Sequence, residues 1–225
     1  MKYEIFGGSL PAVTVYLETG EAIFTQSGGM SWMTPQITME TNMQGGLLKG
    51  LGRMFAGESL FMATYTAKAP GQSITLGSSF PGNILALDLS GRSYICQKSA
   101  FLAAQMSVTL ATVLPTGLKA GLFGGEGFVM QKASGSGVVF LELDGSIREM
   151  DLGAGEKMIV DTGSVAAYEE RVSYSAEMVK GFKNILFGGE GLFLTTLTGP
   201  GKIFLQTMTA PSLATRLLPY LPKKD

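Results

Sequence analysis

Apolar and polar residues alternate over short stretches along most of this chain. Ile37-Thr-Met39, Val108-Thr-Leu110 and Val172-Ser-Tyr174 each read apolar, small polar, apolar. That period of two predicts strands with one buried face. Three β-prone runs lie further along, at Ser73-Ile-Thr-Leu76, Val138-Val-Phe-Leu141 and Lys202-Ile-Phe-Leu205. Each follows a shorter apolar run, ending at Met62, Met130 or Leu194, and a glycine-containing loop, "APGQ", "ASGSG" or "LTGPG". Such loops between β-prone runs predict hairpins. Only residues 214–221, with prolines nearby, read as a short helix.

The pattern repeats. "FGGEG" stands at 123–127 and again at 187–191, with the near-copy "FAGES" at 55–59. The glutamates, Glu58, Glu126 and Glu190, are spaced 68 and 64 residues apart. The alternating stretches precede Glu126 and Glu190 by 18 residues and Glu58 by 21, so the first copy carries three extra residues. Turns open each copy at Glu18-Thr-Gly20, Leu89-Ser-Gly91 and Leu152-Gly-Ala-Gly155. Self-similarity at this period predicts three tandem units of about five strands, roughly 12–85, 86–150 and 151–213. A lone unit could not bury its apolar face. The expectation is therefore one all-β domain spanning 1–225, its three pseudo-repeats of short antiparallel strands packed about a pseudo-threefold axis.

Composition sharpens this. The chain has 225 residues, 31 of them glycine, and only 16% are charged. Many glycines with few charges indicate a turn-rich, well-buried β protein. Residues 22–39, 69–87 and 99–118 carry no charge. The last is long enough for a membrane span, but its Ser, Thr, Gln, Gly and Pro residues favour buried strands. The N-terminal "MKYEIFGGSLPAV" has Glu4 and no long apolar run, unlike a signal peptide. The net charge of −1 gives no support for a nucleic-acid partner, and none is expected.

Two absences limit the chemistry. With no histidine, triads, histidine-ligated zinc and imidazole acid–base work are excluded. With one cysteine, Cys96, there is no intrachain disulfide and no multi-cysteine metal site. A reducing, cytoplasmic setting is expected. No pair of acids shows a spacing that demands acid–base roles, so no catalytic residue, cofactor or metal centre is assigned. Cys96, in the strand-like "SYICQ", reads as a buried thiol, and Trp32 as core or interface packing. Asp88 and Asp151 read as turn stabilisers and Glu169-Glu170-Arg171 as solvated surface.

A Gly-Glu turn opening a unit, the "GGMSW" stretch, and a basic, apolar segment running into FGGEG and two strands together resemble the AIM-twenty-four-type family. That family is named for a yeast protein linked to altered inheritance of mitochondria. The resemblance extends from about Tyr3 to Leu213. It implies an all-β fold of internal repeats, similar to the fold class of the tryptophan RNA-binding attenuation protein, and no catalytic activity. Eukaryotic relatives are associated with the mitochondrial inner membrane. With no transit peptide, this chain looks like a bacterial or archaeal cytoplasmic member.

Two sets of residues could carry function. If the repeats bring Glu58, Glu126 and Glu190 around one axis, three carboxylates would suit a hard cation or a small ligand. The alternative is that each glutamate accepts hydrogen bonds from its own turn. The segments before these anchors, "GGLLKGLGRMF", "PTGLKAGLF" and "MVKGFKNILF", mix large apolar residues with Lys49, Arg53, Lys119, Lys180 and Lys183. Lysines can simply lie in water above a packed stem. Three such segments at one end would instead form a surface for a protein partner or an anionic membrane. The resulting expectation is a non-enzymatic scaffold or interaction module, a homo-oligomer peripheral to a membrane. Its alternative is a ligand- or cation-binding protein using the FGGEG turns.

Overall fold

A computed structural model describes residues 1–26, 28–42, 62–113, 129–178 and 193–221. Strand β1 (Lys2–Phe6) is followed by β2 (Ala12–Leu17), β3 (Ala22–Gln26), β4 (Met30–Met33), β5 (Ile37–Asn42), β6 (Met62–Ala67) and β7 (Gln72–Gly77). Next come β8 (Gly82–Asp88), β9 (Tyr94–Gln97), β10 (Phe101–Gln105), β11 (Val108–Val113), β12 (Met130–Gly135) and β13 (Val138–Asp144). The last strands are β14 (Ile147–Leu152), β15 (Lys157–Asp161), β16 (Val165–Glu169), β17 (Ser173–Met178), β18 (Phe193–Thr198) and β19 (Gly201–Gln206). One helix, α1 (Ala210–Leu217), closes the described chain. It begins four residues before the expected 214–221, because the Thr209 hydroxyl accepts from the Ser212 amide at 3.2 Å and caps it.

The strands form four antiparallel sheets. Their orders are β1-β2-β7-β4, β5-β6-β3-β10-β13-β8, β11-β12-β9-β16-β19-β14 and β15-β18-β17. After β1, each successive set of six strands makes the same four pairings. First pairs with sixth: β2 with β7, β8 with β13, β14 with β19. Third pairs with sixth: β4 with β7, β10 with β13, β16 with β19. Second pairs with fifth and fourth with fifth in the same way. Two additional pairs, β3 with β10 and β9 with β16, fuse neighbouring sets into six-stranded sheets. A threefold closure would require a third such pair, between β15 and β4. No such pair joins these strands among the described residues.

The alternation seen in the sequence places side chains on both faces of the middle sheets. Ile23 and Ala103 face a core shared with Val13, Val15 and Leu76 of the first sheet. Their neighbours Phe24 and Ala104 face the opposite core, with Tyr94, Cys96 and Phe204 of the third sheet. Ile95, Val165 and Ile203 of the third sheet meet Val160, Tyr174 and Leu197 of the fourth. The four sheets therefore stack in order, with an apolar layer between each pair. No helix among the described residues is long and apolar enough to cross a membrane.

Two expectations need correction. Each set has six strands rather than five, since short β4, β10 and β16 also pair. The expected hairpins are arches. β6 and β7 lie in different sheets, as do β12 and β13, and β18 and β19. A period of two fixes which face is buried but not which strand lies alongside, so it cannot distinguish a hairpin from an arch. The turns expected at Glu18-Thr-Gly20, Leu89-Ser-Gly91 and Leu152-Gly-Ala-Gly155 do form, between the first and second strands of each set. Glu21, Arg92 and Glu156 amides donate to Glu18, Leu89 and Gly153 carbonyls at 2.9, 3.0 and 3.0 Å. Gly20, Gly91 and Gly155 supply φ of 84°, 74° and 76°, a region costly for residues with a Cβ.

Candidate interaction surface

Glu58, Glu126 and Glu190 lie outside the described residues, as do Lys49, Arg53, Lys119, Lys180 and Lys183. The strands on either side of them pair in the same way each time. Asn42 stands opposite Met62, Val113 opposite Met130, and Met178 opposite Phe193.

Two buried carboxylates among the described residues hold strands together. Glu142 in β13 is buried within an apolar run. Its carboxylate accepts from Gln26 Nε2 at 3.2 Å, Ser78 Oγ at 3.1 Å, the Ser79 amide at 2.6 Å and Ser79 Oγ at 2.9 Å. Glu169 is also buried, which corrects its part in the reading of Glu169-Glu170-Arg171 as solvated; Glu170 and Arg171 are exposed. It accepts from Arg171 Nε at 2.7 Å and the Lys202 amide at 3.2 Å, with Arg92 at 3.4 Å. Burial alone would push its carboxyl up, but these donors and cations outweigh it and hold it below the ordinary value.

The Glu169–Lys202 bond has counterparts. The Ser73 amide donates to Thr34 Oγ1 at 3.0 Å, and the Val138 amide to Gln105 Oε1 at 2.9 Å. Thr34, Gln105 and Glu169 each stand at the end of the third strand of their set. Three unlike side chains meet one backbone need.

A cleft of about 390 Å³ lies beside Asp88, Arg92, Tyr94, Glu149, Lys202 and Phe204. Its charges are already paired: Lys202 with Glu149 and Asp151, Arg92 with Glu169, and Asp88 with the Ser90 amide and hydroxyl. Asp88 thus stabilises its turn, while Asp151 sits in β14 beside Lys202. Cys96 is fully buried, and burial pushes its thiol up to about 12.

Most of the large apolar side chains that remain exposed lie on or beside the two outer sheets and at the C-terminal helix. On the first sheet, Tyr3, Ile5 and Phe6 of β1 and Leu10 after it are exposed. The Phe6 and Trp32 rings lie 6.4 Å apart at their centroids. Trp32, expected to pack in a core or interface, is 58% exposed in this chain. On the fourth sheet Ile159 is 67% exposed. Leu217, Leu218, Tyr220 and Leu221 are exposed at the C-terminal helix and just after it. A monomer rarely presents a large connected apolar area unless it is an interaction site.

Comparison with known proteins agrees with the architecture. A protein of Streptococcus pyogenes serotype M6, itself described as uncharacterized, is 33% identical over 221 residues, covering 94% of this chain and 87% of its own. A crystal structure of another Streptococcus pyogenes protein matches with a TM-score of 0.79 at 29% identity, covering 98% of this chain and 99% of that one. The family model described as mitochondrial biogenesis AIM24 matches residues 3–208. This chain is therefore a member of the mitochondrial biogenesis AIM24 family.

Proposed function

We propose that this chain is a non-enzymatic interaction module, built from three tandem repeats and attached peripherally to an anionic membrane. One observation carries the interaction reading: Ile5, Phe6, Leu10 and Trp32 leave large apolar side chains in water on one outer sheet. The recurrent strand pairings and the bonds from Ser73, Val138 and Lys202 amides support the repeat. The engagement of Glu142 and Glu169 in strand-joining bonds supports a structural rather than chemical use of the buried acids.

The membrane part rests on the basic–apolar segments, each of which connects the fourth and fifth strands of its set. Basic groups beside an anionic bilayer contribute about 1 kcal/mol each. Screening over about 10 Å at 0.1 M salt would weaken such attachment. The test is co-sedimentation with anionic and neutral vesicles, at low and high salt. The wild type should sediment with anionic vesicles and release as salt rises. A variant with Lys49→Glu, Lys119→Glu and Lys183→Glu should stay in the supernatant. Equal behaviour with both lipids, or no sedimentation with either, would remove the membrane from this reading.

A further inference from the structure

The fourth sheet, and the first without β1, each correspond to half of an inner one. In the second sheet, β3 of the first set meets β10 of the next, and in the third sheet β9 meets β16. The fourth sheet ends in β15, which corresponds to β3 and β9. The first sheet ends in β4, which corresponds to β10 and β16. Both edges are open among the described residues.

Residues at the corresponding positions show what each edge lacks. Phe24 and Ile95 stand opposite Thr64 and Lys132, and both are buried in the apolar layer of the following set. Ile159 stands opposite Thr196 in the same way, but no strand among the described residues pairs with the other edge of β15. It is the most exposed large apolar side chain in any described strand. On the other edge, Ala103 and Ala167 lie opposite Phe140 and Phe204, and all four are buried against the preceding set. Trp32 lies opposite Thr75, after the same register shift, and no strand among the described residues pairs with the other edge of β4. Small opposite large has become large opposite small, so the pair still offers an apolar volume of similar size. Charges on β15 are confined to its ends, Lys157 and Asp161, leaving Met158-Ile-Val160 to meet an uncharged β4.

We propose that β15 of one chain adds to β4 of a second copy, continuing the six-stranded sheet and covering Ile159 and Trp32 together. This rests on the interaction reading above and names its partner. The missing neighbour of each edge is the strand type that the other edge supplies, so one contact completes both. Such a head-to-tail contact uses two different surfaces, and copies add until a ring closes.

Trp32 is the sole tryptophan, so its fluorescence reports this edge directly. The experiment combines sedimentation velocity with acrylamide quenching, without lipid, on wild type, Ile159→Lys and the control Met106→Lys. Met106 is exposed and follows β10, an inner strand of the second sheet. Wild type and the control should sediment as a discrete oligomer with protected Trp32. Ile159→Lys, which leaves the buried layers untouched, should sediment as a monomer with Trp32 severalfold more quenchable. A wild-type monomer overturns the proposal: with protected Trp32 the edges close within one chain, and with accessible Trp32 they stay open. An oligomer indifferent to Ile159→Lys overturns it too. Vesicle binding is read separately, so its failure would leave this result standing.

Discussion

Cys96 and Glu169 lie one on each side of the β9–β16 seam, and each gives a residue-scale prediction. The Cys96 thiol is buried, and its Sγ donates a weak 3.7 Å bond to the Gln131 carbonyl. Thiolate is the reactive form, and burial opposes it. A thiol reagent should label the native protein at least about a hundredfold more slowly than the denatured chain. Glu169 has the opposite environment, with its carboxylate stabilised by Arg171, Arg92 and the Lys202 amide. A carboxyl held below its ordinary value of 4.5 adds stability above that pH. That contribution disappears as pH falls through the lower folded value. Glu169→Gln should therefore flatten the acid limb of the stability–pH curve below about pH 4.5. Glu169→Ala, which also orphans the Lys202 amide, should cost about 1–3 kcal/mol by urea unfolding. Identity-based reading could not find this site. Its counterparts are Thr34 and Gln105, and three consecutive charged residues look solvated until the strand end is placed. Glu142 offered a better signal, a lone acid inside the apolar run "VVFLEL".

At the scale of elements, glycine has two separate uses. Gly82 in β8 faces the Leu143 carbonyl so closely that an added Cβ would collide with it. Gly82→Ala should cost about 1–3 kcal/mol through overpacking, because backbone on both sides of the β8–β13 ladder must move. Gly20 has open space around its Cβ position and a φ of 84°. Gly20→Ala should cost about 1–2 kcal/mol from backbone conformation alone. Shortening Leu143 to Ala would discriminate: it leaves the carbonyl in place and should not rescue Gly82→Ala. The strands themselves were legible, since β5, β11 and β17 begin within a residue of the alternating stretches that predict them. Their partners were not. Glycine-rich links of a few residues can fold a strand back beside its neighbour or carry it across an apolar layer. Which occurs depends on burial far away in sequence. The same limit hid Ile159, which reads as one more strand residue until its edge proves open.

At the scale of the molecule, sharing sheets between sets ties all three parts of the chain into one middle layer. Phe24, Phe101 and Phe204 come from three different sets of strands, yet they belong to one buried cluster with Tyr94 and Leu141. Phe24 and Phe101 stack at 5.6 Å, and Phe204 lies 6.1 Å from Tyr94. A stack of independent two-sheet units would lose one unit when one core is damaged. Here β10 and β16 each contribute to the cores on both sides of their sheet, so damage in one layer strains the next. Phe204→Ala should cost about 3–5 kcal/mol, the range for a buried aromatic. The loss should not be confined to the third and fourth sheets. Trp32, on the first sheet, is far from Phe204 in the stack and reports on the opposite end. Urea unfolding of Phe204→Ala in the monomeric Ile159→Lys background, followed by Trp32 fluorescence and by far-ultraviolet circular dichroism, should give coincident transitions shifted together to lower denaturant than Ile159→Lys alone. A Trp32 transition left at the midpoint of Ile159→Lys alone would mean that the first set folds alone and that the shared sheets couple little energy.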